Sequence, residues 1–351
     1  MLFAKKKDLM GIDVGSTSIK LVQLKEVKGG YELESLGLVP LPPEAIVDNT
    51  LMDNSTVVET IKELVTRLAQ RKVREASSSI SGNSVIIRKI VMNASTPEEV
   101  ETEIQWEAEQ YIPFDINDVN IDCQILGNDE NDPSKMHVLL VASKKDIVND
   151  YQAVFAEAGV KLVVLDVDAF AVQNAFEMNY ETDPEEVYAL INIGASMMNL
   201  NVVRAGMSLF IRDVQLGGSL YTEDIQKKMG VSFEEAERMK VMITESSSED
   251  LLESINRINE TIAYEIRRSL DFYNSNALEG KIGRVFLSGG AAKTLNLATA
   301  ISEKLSLPVE LFNPLARIKW DSKRFDPGFL TEVAPLMTVA LGLAARRLGD
   351  K

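Results

Sequence analysis

The sequence predicts an α/β protein of two lobes with a cleft between them, and three segments predict it. GIDVGSTSIKLVQL (Gly11 to Leu24) is a short apolar strand ending in an acid and a glycine, a turn with three hydroxyls, and a returning strand. ALINIGASMMNLNVV (Ala189 to Val203) repeats that grammar around Gly194-Ala195-Ser196, and VFLSGGAAKTLNL (Val285 to Leu297) runs an apolar strand into Ser288-Gly289-Gly290 and then a helix. Glycine admits a phosphate close to the backbone, successive N–H groups at such turns form an anion nest, and Asp13 at its strand end can hold Mg2+ directly or through water. Each segment alone also reads as a plain hairpin turn or strand-to-helix loop; their recurrence raises the phosphate reading. GAAKT lacks P-loop spacing, and no GxGxxG occurs.

Composition narrows the class. The 351 residues, 45% hydrophobic, suffice for two medium domains with real cores. Lys+Arg 37 against Asp+Glu 53 gives a net charge of −16, which repels nucleic-acid backbones and argues against that partner. One cysteine, Cys123, excludes an internal disulfide, and with one histidine, His137, it excludes a Cys/His zinc cluster. Met1 to Ala4 runs at once into Lys5-Lys6-Lys7, with no signal-peptide apolar core. The least polar run, Val333 to Ala345, is too short to span a bilayer and contains Pro335 and Thr338. A cytoplasmic protein that meets a membrane only through a partner is expected.

In chain order, the first hairpin leads to a strand at Tyr31 to Leu38 and a Pro40 to Pro43 loop. A helix follows at Val57 to Arg71, with Val57, Ile61, Leu64, Val65 and Leu68 on one face, and then a strand at Ser77 to Ser81. From Ser84 the pattern becomes strand (Val85 to Met92), helix (Pro97 to Tyr111), strand (Val119 to Leu126), polar turn (Asn128 to Ser134), strand (His137 to Ala142) and helix (Lys144 to Ala158), a module able to bury its own small core. Its first helix starts with Thr96 as N-cap, Pro97 at the first position and Glu99 completing a capping box. Val100, Ile104, Ala108 and Tyr111 form its anchoring stripe. Trp106 and Gln110 lie off that stripe, and Ile112-Pro113-Phe114 adds exposed-prone apolar surface beside it; Trp106 and Phe114 either complete the module's core or line a partner groove.

A strand (Lys161 to Asp166) and a helix with Ala169, Ala171 and Ala175 follow. Then come strands at Val187 to Ile193, Met198 to Val203 and Gly206 to Gln215, and a helical stretch from Thr222 to Asn276 with Ser232 and Glu235 capping one helix. Ile255, Ile258, Ile262, Ile266 and Leu270 mark an inner helical face. A last helix, Val333 to Leu348, carries Ala334, Ala340, Gly342 and Ala344; these small residues suit an interlobe hinge or a close-packed core crossing.

Two hairpin loops and a Gly-Gly loop in this order resemble the actin/Hsp70/sugar-kinase ATPase superfamily across nearly the whole chain. Within it, MGIDVGSTSIKLVQL, EVETEIQWEAEQYIPF (Glu99 to Phe114), LDVDAFAVQNAF (Leu165 to Phe176) and GGSLYTEDIQKKMGVSFEEAERMK (Gly217 to Lys240) resemble the PilM family of type IV pilus assembly proteins, relatives of FtsA. The resemblance implies an α/β actin-like two-lobe ATPase fold, duplicated RNase H-like domains with an FtsA-type inserted α+β subdomain. It divides the chain into first-lobe segments 1–83 and 160–185, an insert 84–159, second-lobe segments 186–216 and 281–332, a helical subdomain 217–280 and a hinge helix 333–351. It implies ATP and Mg2+ as cofactors, with Asp13 at the metal and Gly15, Ser16, Thr17, Ser18 and Lys20 in the first phosphate loop. Asn192, Gly194, Ala195 and Ser196 take the second loop, Gly217, Gly218, Gly289 and Gly290 the adenosine side, and Asp168 the water-positioning role. Glu237 and Lys240 match a ribose- and adenine-holding pair, or are an i,i+3 surface ion pair. Asn192 stands where the superfamily has aspartate, which weakens hydrolysis more than binding. The implied role is a cytoplasmic scaffold under the inner membrane, at most a slow ATPase, with a PilN-like bitopic partner docking at Trp106, Gln110 and Phe114. Other pilus platform and motor components and a homo-oligomer are further implied partners. A small-molecule kinase and an autonomous filament former are the alternatives.

Overall fold

The computed structural model describes residues 8–47, 49–68, 73–94, 96–129, 132–276 and 280–350. Each lobe is built on a five-stranded sheet, and the two sheets follow one plan. In the first lobe, Met10–Val14, Ser18–Val27 and Gly30–Pro40 form an antiparallel meander, and Glu75–Ile80 and Lys161–Val167 add in parallel beside Met10–Val14. In the second, Val187–Ile193, Met198–Arg204 and Met207–Val214 form the meander, and Ile282–Ser288 and Val309–Leu311 add in parallel. Val187–Ile193, central in its sheet, is buried at every residue, as a strand covered on both faces must be. The shared plan makes the turns after Val14 and after Ile193 equivalent, and likewise the loops after Ile80 and after Ser288.

A three-stranded sheet, Ile86–Met92, Met136–Lys144 and Val119–Asn128, carries the helix Pro97–Ala108. Ile90, Met92, Val100, Ile104, Ala108, Ile112, Val138 and Leu140 close a core of its own. The sequence groups the next helix with this module, but Lys145–Glu157 turns Tyr151, Val154 and Phe155 into the first-lobe core. Its buried stripe faces Lys161–Val167 and the helix Asn54–Leu68, which outcompetes the small module core for large side chains. The first-lobe helix predicted to Arg71 reaches Leu68, and residues 69–72 lie outside the described residues, as do Lys5-Lys6-Lys7 and two positions of the 128–134 turn.

Between the lobes lies a third core, shared by both. The helix Asp168–Asn179 crosses the helix Thr338–Ala344 so closely that a Cβ on Gly342 would fall on the carbonyl of Ala171. Val22, Leu24 and Leu33 of the first lobe and Tyr188, Leu190 and Phe286 of the second pack around these helices. The predicted Val333-to-Leu348 helix is instead three pieces, Pro327–Val333, a 3-10 turn Ala334–Met337 and Thr338–Ala344, because Pro335 cannot donate within a continuous helix. Pro327–Ala344 is also longer than the run read from the sequence, and by length and apolarity it could cross a membrane. With 67% of it buried inside the protein, it is a core element.

Candidate functional site

The two equivalent hairpin turns face one another across a cavity of about 510 Å³, a size that accommodates a small ligand or cofactor. On the first-lobe wall stand Asp13, Gly15, Ser16, Thr17, Ser18 and Lys20. Asp13 and Lys20 are register partners on adjacent strands, and Lys20 Nζ lies 2.9 Å from Asp13 Oδ2. Asn192, Gly194, Ala195 and Ser196 stand opposite, and the turns touch where Ser196 Oγ donates to Ser16 Oγ at 2.8 Å. Gly218, Glu237, Lys240, Gly289 and Gly290 complete the cavity.

Gly217, predicted among these, sits behind the wall. A Cβ there would come within 2.6 Å of Gly194 O, and the bare backbone lets Gly218 N and Ser219 N donate to Gly194 O and Ala195 O at 2.9 and 2.8 Å. Gly289 adopts φ +87°, and a Cβ there would strike the backbone of Ile193. The Gly-Gly loop leads into a 3-10 turn, Gly290–Lys293; the α-helix predicted to follow begins only at Leu297. Glu237 and Lys240 are more than a surface ion pair. Lys240 Nζ donates to Glu237 Oε2 at 2.6 Å, to Thr222 Oγ1 at 3.0 Å and to Gly218 O at 3.3 Å, while Thr222 Oγ1, behind the wall, donates to Glu237 Oε2 at 2.6 Å.

Asp168 opens the hinge helix Asp168–Asn179 and lines the cavity floor. Ser79 Oγ donates to its Oδ1 at 2.6 Å. Burial, with Asp13 next in effect, pushes its carboxyl up to about 6, against the lowering hydrogen bonds from Ser79 and Ser81. The sequence reading missed Ser79, Ser81, Asn199 and Thr222, all of them at this site. A run of hydroxyls in a buried strand, Ser77-Ser78-Ser79, was the available signal. Ser77 Oγ donates to Leu343 O at 2.6 Å and Ser78 Oγ to Ile12 O at 2.8 Å, so the strand is sewn to its neighbours and Ser79 faces the cleft.

These residues fit a nucleotide. Two glycine–hydroxyl turns offer backbone N–H groups and hydroxyls to phosphates, and a bare Gly-Gly loop beside the polar Thr222–Glu237–Lys240 cluster suits a base and ribose. For a metal, no cluster of three or more His, Cys, Asp or Glu suited to an ion occurs among the described residues. Asp13, on the cavity wall, is a carboxylate of the kind Mg2+ takes alongside water and phosphate oxygens.

Trp106 is 75% exposed and Phe114 40% exposed, so neither completes the module's core. Lys144 Nζ lies 4.1 Å over the Phe114 ring, and Gln110 Nε2 donates to Glu107 Oε2 at 3.3 Å on the surface. Tyr111, expected on the anchoring stripe, is half-exposed beyond the helix end, and Ile112, expected to add exposed surface, is buried in its place.

Duplicated sheets, paired hairpin turns and a pair of helices shared between the lobes define the actin-like ATPase fold. The same fold occurs in MreB5 of Spiroplasma citri bound to AMPPNP (13% identity, TM-score 0.52, 97% of this chain and 95% of that one). It recurs in the ethanolamine utilization protein EutJ from Carboxydothermus hydrogenoformans (16% identity, TM-score 0.60, 97% and 90%). The family model of the type IV pilus assembly protein PilM matches residues 11–348, and the chain belongs to that family. A solved PilM-PilN type IV pilus biogenesis complex contains a chain 28% identical to this one, with TM-score 0.87 over 97% of this chain and 98% of that one. The cell division protein FtsA of Bacillus subtilis (strain 168) is 24% identical over 271 residues, 70% of this chain; the match spans only 61% of FtsA.

Proposed function

We propose that this protein is a cytoplasmic scaffold of the type IV pilus inner-membrane platform that binds Mg·ATP between its lobes. In this reading it recruits the cytoplasmic N-terminal segment of a PilN-like bitopic protein, through which alone it meets the membrane, and nucleotide state acts as a switch. The observation that carries the reading is the meeting of the two hairpin turns, Ser16 Oγ against Ser196 Oγ, across one cavity. A ligand seated there touches both lobes and senses their spacing. Asp13 would hold the metal, the Gly15–Lys20 and Asn192–Ser196 turns the phosphates, and Gly218, Gly289, Gly290, Glu237 and Lys240 the nucleoside, with Gly217 supporting the second turn. The metal supplies charge neutralisation at the phosphates when bound. Asp168 orients water through its bond to Ser79, and neutral Asn192 keeps any hydrolysis slow.

The solved PilM–PilN complex supports the partner, and two open sheet edges support its place. Val119–Asn128 is one edge strand of the inserted sheet and Lys161–Val167 one edge strand of the first-lobe sheet. Asp122 on the former lies close enough to act on the charge of Asp166 on the latter. An extended segment could pair with either edge, with Trp106, Gln110 and Phe114 as flanking anchors. In the proposed division the insert of 84–159 gives up its last helix, Lys145–Glu157, to the first lobe, while 217–280 is a helical part of the second lobe and 333–351 the hinge.

The test is a thermal melt of nucleotide-free protein with and without Mg·ATP. The nucleotide should stabilise the whole protein by about 2.7 kcal/mol at a hundredfold excess over its dissociation constant. Asp13→Ala should lose most of the Mg2+-dependent part. Wild-type protein whose transition moves with neither ATP nor ADP would remove the nucleotide from this reading.

A further inference from the structure

A single row of polar side chains crosses the second lobe and ends on the first. Strand register sets Ser288, Asn192, Asn199 and Asp213 side by side on four adjacent strands. Ser288 Oγ donates to Asn192 Oδ1 at 3.2 Å, Asn192 Nδ2 to Asn199 Oδ1 at 3.1 Å, and Asn199 Nδ2 to Asp213 Oδ1 at 2.8 Å. The row closes across the cleft, where the backbone N–H of Gly82 donates to Asp213 Oδ2 at 2.6 Å. Asn192, Asn199 and Ser288 are buried, so the row has little water to substitute for a lost partner.

The two ends of an asparagine amide have nearly the same size, and hydrogen bonding decides which way each points. Here the decision starts at a group that cannot turn. The Gly82 N–H only donates; burial pushes the Asp213 carboxyl up, while the hydrogen bonds from Asn199 and Gly82 favour its ionised form, and as a carboxylate it only accepts, so it receives an N–H from Asn199. Asn199 then turns its oxygen to Asn192, and Asn192 turns its NH2 to Asn199 and its oxygen toward Ser288. The Ser288 hydroxyl donates or accepts equally well and does not contest the order. Asn192 lines the cleft, and the equivalent cross-strand pair in the first lobe is the charged Asp13–Lys20.

We propose that Asp213 is a positioning residue that sets the polarity of this row, so that Asn192 offers its amide oxygen, rather than its NH2, to a metal-bearing nucleotide. The missing carboxylate of the second turn is thereby moved two places along the sheet, and its effect is carried back by orientation. The inference rests on the Mg·ATP reading of the cleft. An asparagine at position 213 has one oxygen for two donors. It must give that oxygen to Gly82, whose N–H is fixed, and its own NH2 then turns Asn199 and Asn192 around in sequence.

The experiment measures ATP binding with and without Mg2+ in wild type, Asp213→Asn and the exchanged double variant Asn199→Asp/Asp213→Asn. Neutron diffraction on the nucleotide-free proteins accompanies it, to locate the amide deuterons of Asn192. Asp213→Asn should bind metal-free ATP as wild type does, lose roughly tenfold or more of the affinity gained from Mg2+, and show its Asn192 deuterons toward Ser288. The exchanged variant should regain the Mg2+ effect and the wild-type orientation. There a carboxylate at 199 accepts from both neighbours, and the amide oxygen at 213 accepts from Gly82. An undiminished Mg2+ effect in Asp213→Asn, or an exchanged variant no better than the single one, overturns the proposal while leaving the site reading intact. Wild-type protein indifferent to Mg·ATP overturns both.

Discussion

At the scale of single residues, the site divides into groups visible along the chain and groups visible only across it. Asp13, Ser16, Gly194, Gly289 and Gly290 sit in segments whose local pattern already speaks of turns and phosphate. Asn199 and Asp213 do not, because their importance comes from being register partners of Asn192, and pairing is a long-range fact that no local periodicity carries. Asp168 was legible by resemblance alone, but its electrostatics needed the fold. Burial, then Asp13, raises its carboxyl from 3.8 to about 6. Folding therefore favours the protonated acid, and this group's contribution to stability falls as pH rises from about 4 to about 6 and stays low above that. Asp168→Asn should thus raise the stability of the nucleotide-free protein at pH 7, by on the order of 2 to 3 kcal/mol, and the gain should shrink toward zero near pH 4. Denaturant titrations of both proteins at several pH values check this; a gain that does not vary with pH would refute it.

At the scale of elements, most strands and helices follow from apolar periodicity, and the departures have local causes. The helical stretch from Thr222 resolves into Ser219–Met229, Phe233–Val241 and Glu249–Asn276, with Gly230 in the left-handed region ending the first and Ser232 Oγ accepting from Glu235 N at 3.2 Å to start the second. The short strand Val309–Leu311 escaped notice because three residues carry no period. The crossing of the hinge helices was legible as a stripe of small residues, though not how close it is. Gly342→Ala would drive a methyl into the Ala171 carbonyl and should cost at least 1 to 3 kcal/mol, read from the denaturation midpoint. On the inserted helix, Trp106→Ala should leave the melt unchanged, because that side chain is already in water. If it anchors the partner, the same variant should bind a peptide from the partner's cytoplasmic N-terminus at least roughly tenfold more weakly. Undiminished affinity in the folded variant would exclude Trp106 from the groove.

At the scale of the whole molecule, the duplication is the organising fact. The two sheets repeat one strand plan while sharing little sequence, so the sequence showed that there were two lobes but not that their helices fuse into one central core. That fusion means the lobes cannot separate without breaking apolar contact around Asp168–Asn179 and Thr338–Ala344. The inserted module, with its separate core, is free of this constraint. Hydrogen exchange should therefore show Mg·ATP slowing both lobe sheets together while the strands Ile86–Met92 and Met136–Lys144 change little; equal slowing in all three sheets would contradict it.

The packing of Thr338–Ala344 against the first strand also fixes an order of events at birth. Gly11 has no room for a side chain because Ala340 and Ala344 lie on it, and Ser77, its neighbour in the sheet, gives its hydroxyl to Leu343 O. The strand Met10–Val14 is thus covered by a helix made more than three hundred residues after it. At ribosomal speed that interval is on the order of tens of seconds, during which one face of the Met10–Val14 strand and its flanking sheet stays bare. The cleft cannot take its final form until the ribosome has delivered the helix that closes the back of the sheet.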